Sequence, residues 1–132
     1  MTELQKQINL THPVFSKYIR LRDTDEYYTG KCCTCGKKVT YHTGQCGHYI
    51  NRRFLTTTFM SENAHLQCKE CNEFNDGEKD KHAEFIDNTY GRGTAETLQI
   101  ISRGNIKFTP VEIKEIRKFL KSKIKELKTN KY

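Results

Sequence analysis

Five apolar residues near the end of the chain, Ile113, Ile116, Leu120, Ile124 and Leu127, follow one another at steps of three and four with lysines and glutamates between them. That is the period of a helix with one apolar stripe. Its start is marked three ways: Thr109 as N-cap, Pro110 at the first helical position, and Glu112 three residues after the cap, a capping box. The stripe covers about two heptads, so it either docks on the chain's own domain or pairs two copies into a homodimer. A second stripe, Val14, Tyr18 and Leu21, follows Thr11 as a cap with Pro13 close to the first turn, and predicts a helix ending near Asp23.

Between these helices the rhythm shortens. Val39 to Tyr41 and His48 to Ile50 read as short strands, the second entered from a turn over Gly44 to Gly47. A short helix is expected from Cys71 toward Phe74, interrupted by Gly77. Another should run from Glu78 to Tyr90 and close at Gly91, and a third should start at a Thr94 cap with Leu98 and Ile101 on one face. The predicted class is α+β: an N-terminal helical segment (1–24), a small core (25–91) and a helical C-terminal extension (92–132). Internal repeats are absent.

Hydrophobic residues make up only 35% of the 132 positions and mean hydropathy is −0.82, which implies a modest core that a bound metal would reinforce. No apolar run approaches the roughly 20 residues needed to cross a bilayer. The opening MTELQKQINL lacks the basic-then-apolar pattern of a signal peptide, so a cytoplasmic location is expected. In a reducing compartment six cysteines read as metal ligands rather than disulfides. Cys32/Cys35 and Cys68/Cys71 are two Cys-x-x-Cys pairs, enough to close a tetrahedral zinc site with no vacancy, hence structural. Cys33 and Cys46 fall outside the pairs and are expected to be free thiols.

The net charge of +7 points to a polyanion, and it is unevenly spread. From Lys107 onward there are nine Lys/Arg against three Glu, a net of +6. Lys114, Lys118, Lys121 and Lys125 suit sequence-independent contact with phosphates, and nothing predicts base-specific readout. Arg52 and Arg53 stand four and five residues after His48, close enough for a guanidinium to meet a phosphate.

Inside the cysteine pairs lie His48, Asn63 and His65, with Asn72 directly after the last cysteine. Cys-x-x-Cys, a strand histidine, then Asn five residues before a second Cys-x-x-Cys is the order of the zinc-stapled HNH, or ββα-metal, nucleases. YIRLRD (18–23), CCTCG (32–36), GHYINR (47–52) and ENAHLQCKECN (62–72) resemble more closely the phage lambda NinG (Rap) recombination protein family, over about residues 15–91.

The resemblance implies a zinc-stabilised HNH-like core with flanking helices and a long basic C-terminal helix. It also implies a phage- or prophage-encoded endonuclease that hydrolyses phosphodiester bonds in branched recombination intermediates such as Holliday junctions and D-loops. On it, His48 is the general base, Asn63 orients that base or its loop, and His65 supports the metal or phosphate. Asn72 becomes an oxygen ligand to a catalytic Mg²⁺ or Mn²⁺, as in the related phage endonuclease VII proteins. One departure stands out: Gly47 occupies the place where many HNH enzymes carry a metal-binding Asp or His. Asp76 or Glu78 could supply the missing carboxylate, although both also read as solvated surface acids. Gly47 keeps an alternative open, a non-catalytic zinc module that binds branched or single-stranded DNA for another nuclease. A thiol redox protein built on Cys32/Cys35 is the third reading.

Overall fold

Helix ends are set by capping, and in the computed structural model, which describes residues 1–132, both long helices begin at a threonine. Thr2 accepts a hydrogen bond from the Gln5 N–H (3.0 Å) at the start of α1 (Glu3–Arg22). Thr109 and Glu112 form the expected capping box at the start of α5 (Pro110–Thr129). The start of α1 corrects the sequence reading by nine residues: Pro13 lies inside the helix, not in its first turn. Packing outweighs the lost proline N–H here, because Gln7, Thr11, Phe15, Ile19 and Leu21 of α1 are all buried.

α5 lies along α1. Its Ile113, Leu120 and Ile124 are buried there, so the C-terminal stripe is used within the chain. Polar contacts fix the register: Arg117 donates to Thr11 Oγ1 (3.1 Å), Gln7 Oε1 (2.8 Å) and the Gln7 carbonyl (3.3 Å). Lys131 Nζ donates to the Thr24 and Asp25 carbonyls at 2.8 and 2.9 Å. Segments 1–24 and 92–132 are thereby joined side by side.

Two antiparallel hairpins fill the middle. β1 (Thr29–Lys31) pairs with β2 (Lys38–Thr40), and β3 (Gln45–His48) pairs with β4 (Ala64–Gln67) in the register Gly47↔His65 and His48↔Ala64. The expected second strand therefore lies three residues earlier than predicted, and β1 and β4 are additions. The face of β3–β4 carrying Ala64 packs against Phe15 and Ile19 of α1 and Leu120 of α5. α2 (Leu55–Thr58) sits in the long β3–β4 connection. α3 (Lys79–Tyr90) and α4 (Thr94–Ser102) bury Ile86, Ala95 and Leu98 against Tyr49 and Ile50. Gly91 ends α3 as expected, with φ 123°. The cap of α4 is Gly93, with Thr94 its first residue. The architecture is α+β with small sheets and a long C-terminal helix, and no helix is long and apolar enough to cross a membrane.

Candidate functional site

The two Cys-x-x-Cys turns come from different elements and meet at one point. The first follows β1; its Cys32 carbonyl accepts from Gly36 N–H at 2.9 Å, and Gly36 has φ 77°, a left-handed conformation suited to glycine. Cys33 N–H donates to the Leu66 carbonyl at 2.9 Å, tying this turn to β4. The second turn follows β4 and runs into a single wide turn of helix, Glu70–Phe74. Four sulfurs about 2.3 Å from one zinc would stand about 3.8 Å apart. Cys35 Sγ and Cys68 Sγ are separated by 3.8 Å, and all four sulfurs of Cys32, Cys35, Cys68 and Cys71 lie within 4.8 Å of one another. This cluster can hold a metal ion, with the donor set and spacing of structural zinc. Burial works to raise the Cys32 thiol, but hydrogen bonds from the Thr34 hydroxyl and neighbouring backbone bring it down to about 6. Cys33 and Cys46 are free, and burial pushes both thiols up, Cys46 to about 12.

Beside this centre opens a polar cleft of about 670 Å³. Its walls are His12, Ser16 and Arg20 on α1, Gln45, Cys46 and His48 on β3, Asn51 and Arg52 after the strand, and the stretch from Asn72 through Asp76 and Gly77 to Lys79. The cationic side chains Arg20, Arg52 and Lys79 outnumber the single carboxylate, Asp76, so the cleft favours an anion such as a phosphate.

His48 is the most constrained of these groups. Its ring lies 5.5 Å from that of Phe15, and Nε2 is 3.0 Å from the Thr58 carbonyl. A carbonyl only accepts, so Nε2 carries the proton and Nδ1, which makes no hydrogen bond, carries the lone pair. Burial pulls the imidazole down to about 4, against the Thr58 bond that favours its protonation. The ring is therefore a neutral base at pH 7. Asn63, fully buried, holds the same stretch from below: Oδ1 accepts from Ile50 N–H (2.8 Å), and Nδ2 donates to the carbonyls of Ile50 (3.2 Å) and Thr57 (3.1 Å). Its polar atoms are committed to the backbone before and within α2, so it is a positioning residue. Lys79 Nζ donates to the His48 carbonyl at 2.6 Å.

The expected divalent cation finds no ligand at position 47: a Cβ on Gly47 would lie 1.8 Å from Gln67 Oε1. The cleft does contain oxygen donors of the kind a hard cation takes, the Asp76 carboxylate and the Asn72 amide. Asn72 Nδ2 donates to Gln45 Oε1 at 2.8 Å, which leaves its oxygen available.

A family model described as Bacteriophage Lambda NinG protein matches residues 1–130. The chain belongs to the bacteriophage lambda NinG family. No curated protein and no solved structure gave a match.

In this member of the NinG family, His65 stays away from the cleft. The strand register explains it: His65 is opposite Gly47, and neighbouring residues of a strand face opposite ways, so His65 and His48 leave the hairpin on different faces. His65 is 2% exposed, with Nδ1 3.0 Å from His82 Nε2 and Nε2 2.8 Å from Tyr90 Oη. That makes it part of a buried polar network against α3, where burial pulls both imidazoles down to about 3. Arg53 also lies off the cleft, its guanidinium over the Phe54 ring at 4.7 Å. Lys114, Lys118, Lys121 and Lys125 are exposed and spaced by four, three and four, one row along α5 of this NinG-family chain. The row reaches α1, where the neighbouring Lys128 ammonium lowers the pKa of Lys17, and where Lys121 lines a groove with Lys17. Sequence reasoning missed His12, Ser16, Arg20, Gln45, Asn51 and Lys79. The first three are spaced by four, a polar stripe on a helix that the sequence already predicts between Thr11 and Asp23.

Proposed function

We propose that the protein is a metal-dependent DNA endonuclease that hydrolyses phosphodiester bonds in branched recombination intermediates, Holliday junctions and D-loops among them. The reading rests above all on His48, a neutral imidazole locked through Nε2 and open at Nδ1 in a cationic cleft. His48 Nδ1 takes a proton from the attacking water, and Asn63 holds the backbone that keeps the ring oriented. Arg52 and Lys79 bind the phosphate under attack, and the row of Lys114, Lys118, Lys121 and Lys125, continued by Lys17, carries the flanking backbone. Asn72 and Asp76 would hold Mg²⁺ or Mn²⁺, which supplies Lewis-acid neutralisation of charge on the phosphate and leaving oxygen. The four-cysteine zinc keeps β4 and the Asn72 turn in place. Paired cuts across a junction need two active sites, which favours a homodimer, and a phage or prophage protein of this kind would act in the bacterial cytoplasm.

Gly47 supports a second reading, a zinc-containing accessory protein that binds branched DNA without cutting it. The two separate when purified protein is incubated with a four-way junction, a D-loop and plain duplex in Mg²⁺ or Mn²⁺. Cleavage that disappears in His48→Ala while binding persists supports the endonuclease. Binding without cleavage in either ion supports the accessory protein.

A further inference from the structure

A second pocket, of about 280 Å³, meets the His48 cleft at its lip. Asn51 and Lys79, both exposed, line the two of them, so cleft and pocket are neighbouring compartments of one surface. The end of β3 explains the division. His48 faces the cleft, whereas Tyr49, the next residue, turns the other way with its ring 5.7 Å from that of His82 and lines the pocket with Ile50. The two linings differ in kind. Cys46 is the only apolar wall of the cleft, but the pocket sets Tyr49, Ile50 and the half-buried ring of Phe54 beside the cations Lys79 and Arg103, with no carboxylate. Gln99 of α4 adds a polar edge: Nε2 donates to Tyr49 Oη at 2.6 Å, which leaves the Tyr49 hydroxyl proton and Gln99 Oε1 without partners. Turned over, the amide would accept from Tyr49 and leave its own N–H and a hydroxyl lone pair instead. Either way a free donor stands beside a free acceptor.

We propose that this pocket receives one unpaired nucleobase of the strand whose phosphate lies in the His48 cleft, with Phe54 against the ring, Tyr49 and Gln99 on its edge, and Arg103 on the phosphate beyond. The proposal rests on the cleft holding a DNA phosphate, which both readings above share, and not on cleavage there. The pocket is smaller than the ~300–1,000 Å³ usual for drug-sized ligands, which suits a single base and not a base pair. A paired base is held in its stack, so DNA with an unpaired base next to the bound phosphate fills the pocket without the cost of extrusion. Branch points supply such bases. Every base carries a donor beside an acceptor on its Watson–Crick edge, so the pocket selects for an unpaired base rather than for a sequence.

The test uses the zinc-loaded full chain without added Mg²⁺ or Mn²⁺. Its probe is a forked duplex carrying one unpaired 5-iodouracil at the fork, compared with the same fork in which that base is paired. Irradiation should cross-link the unpaired base to Tyr49 or Phe54, located by peptide mapping. Phe54→Ala should weaken binding of the unpaired fork by at least about fivefold, and Gln99→Leu by at least about threefold. Both should leave binding of the paired fork unchanged, because phosphate contacts do not sense the base. Cross-links only outside this pocket, equal losses on the two forks, or no DNA binding at all overturns the proposal. Should Phe54→Ala misfold, Gln99→Leu decides: unchanged affinity for the unpaired fork refutes it. Cross-linking at Tyr49 or Phe54 without cleavage once Mg²⁺ or Mn²⁺ is added keeps the pocket and removes the endonuclease. His48-dependent cleavage with cross-links elsewhere does the reverse.

Discussion

Replacing Asn63 tests whether the base is held by the loop beneath it. Asn63→Ala removes three buried hydrogen bonds and orphans the Ile50 N–H and the carbonyls of Ile50 and Thr57. At about 1 kcal/mol or more for each group, the loss should be about 3 kcal/mol. In a domain of this size that lowers Tm by roughly 10 °C. Asn63→Asp should be worse at pH 7, since it keeps the acceptor for Ile50 N–H but turns a carboxylate oxygen toward two carbonyls in a buried site. Its carboxyl pKa is raised in the folded state, so protonation restores one donor as pH falls from 7 toward 5. The Asp variant should then gain stability relative to the Ala variant, which shares the acid loss from the buried histidines. Calorimetric melts of zinc-loaded protein at both pH values measure this. Thr57 adjoins Thr58, the partner of His48, so in both variants kcat for cleavage should fall by a larger factor than KM rises. An Asn63→Ala melt within about 2 °C of wild type, or an Asp variant more stable than the Ala variant at pH 7, would show that the carboxamide does not hold this loop.

Cys68→Ser should lose bound zinc and thermal stability together, measured by elemental analysis and melting; full stability without zinc would contradict the role of the four-cysteine centre. Burial lowers the folded-state pKa of His48, His65 and His82, so the stability they contribute is complete above the unfolded value near 6.5 and drains as pH falls toward about 4. Ring-proton NMR should accordingly find His48 neutral through pH 6 and titrating near 4, and a midpoint near 6.5 would refute its burial. Replacing Lys114, Lys118, Lys121 and Lys125 by Ala should weaken binding to all DNA sequences alike and flatten the log K against log salt slope by about 0.9 for each phosphate no longer neutralised. An unchanged slope would place the DNA elsewhere.

What the sequence made legible was chemistry that local order dictates. The cap Thr109, Pro110 and Glu112 act within four residues of one another, and the cysteine pairs define their own turns, so both could be read directly. β4 was not legible: Ala64 to Gln67 is only four residues, buried on both faces, and shows no alternation. Pro13 led the start of α1 astray because an N1 proline and an interior proline look alike until the residues before it are known to be buried. His12, Ser16 and Arg20 lay inside the predicted helix all the same; nothing local to the sequence shows that their face lines a cleft. His65 was grouped with His48 because both lie between the cysteine pairs, and only the pairing of Gly47 with His65 reveals that they part company across the hairpin.

The Arg117 fork has a consequence for any attempt to dissect the molecule. α5 presents lysines to solvent, yet through Arg117 and its apolar stripe it also backs the helix that carries His12, Ser16 and Arg20. Trimming away the basic tail would therefore remove the buttress of the cleft along with the charge, and a truncated protein that fails to cut DNA would say nothing about which was missed. Charge reversal on the outward lysines leaves the buttress standing and separates the two.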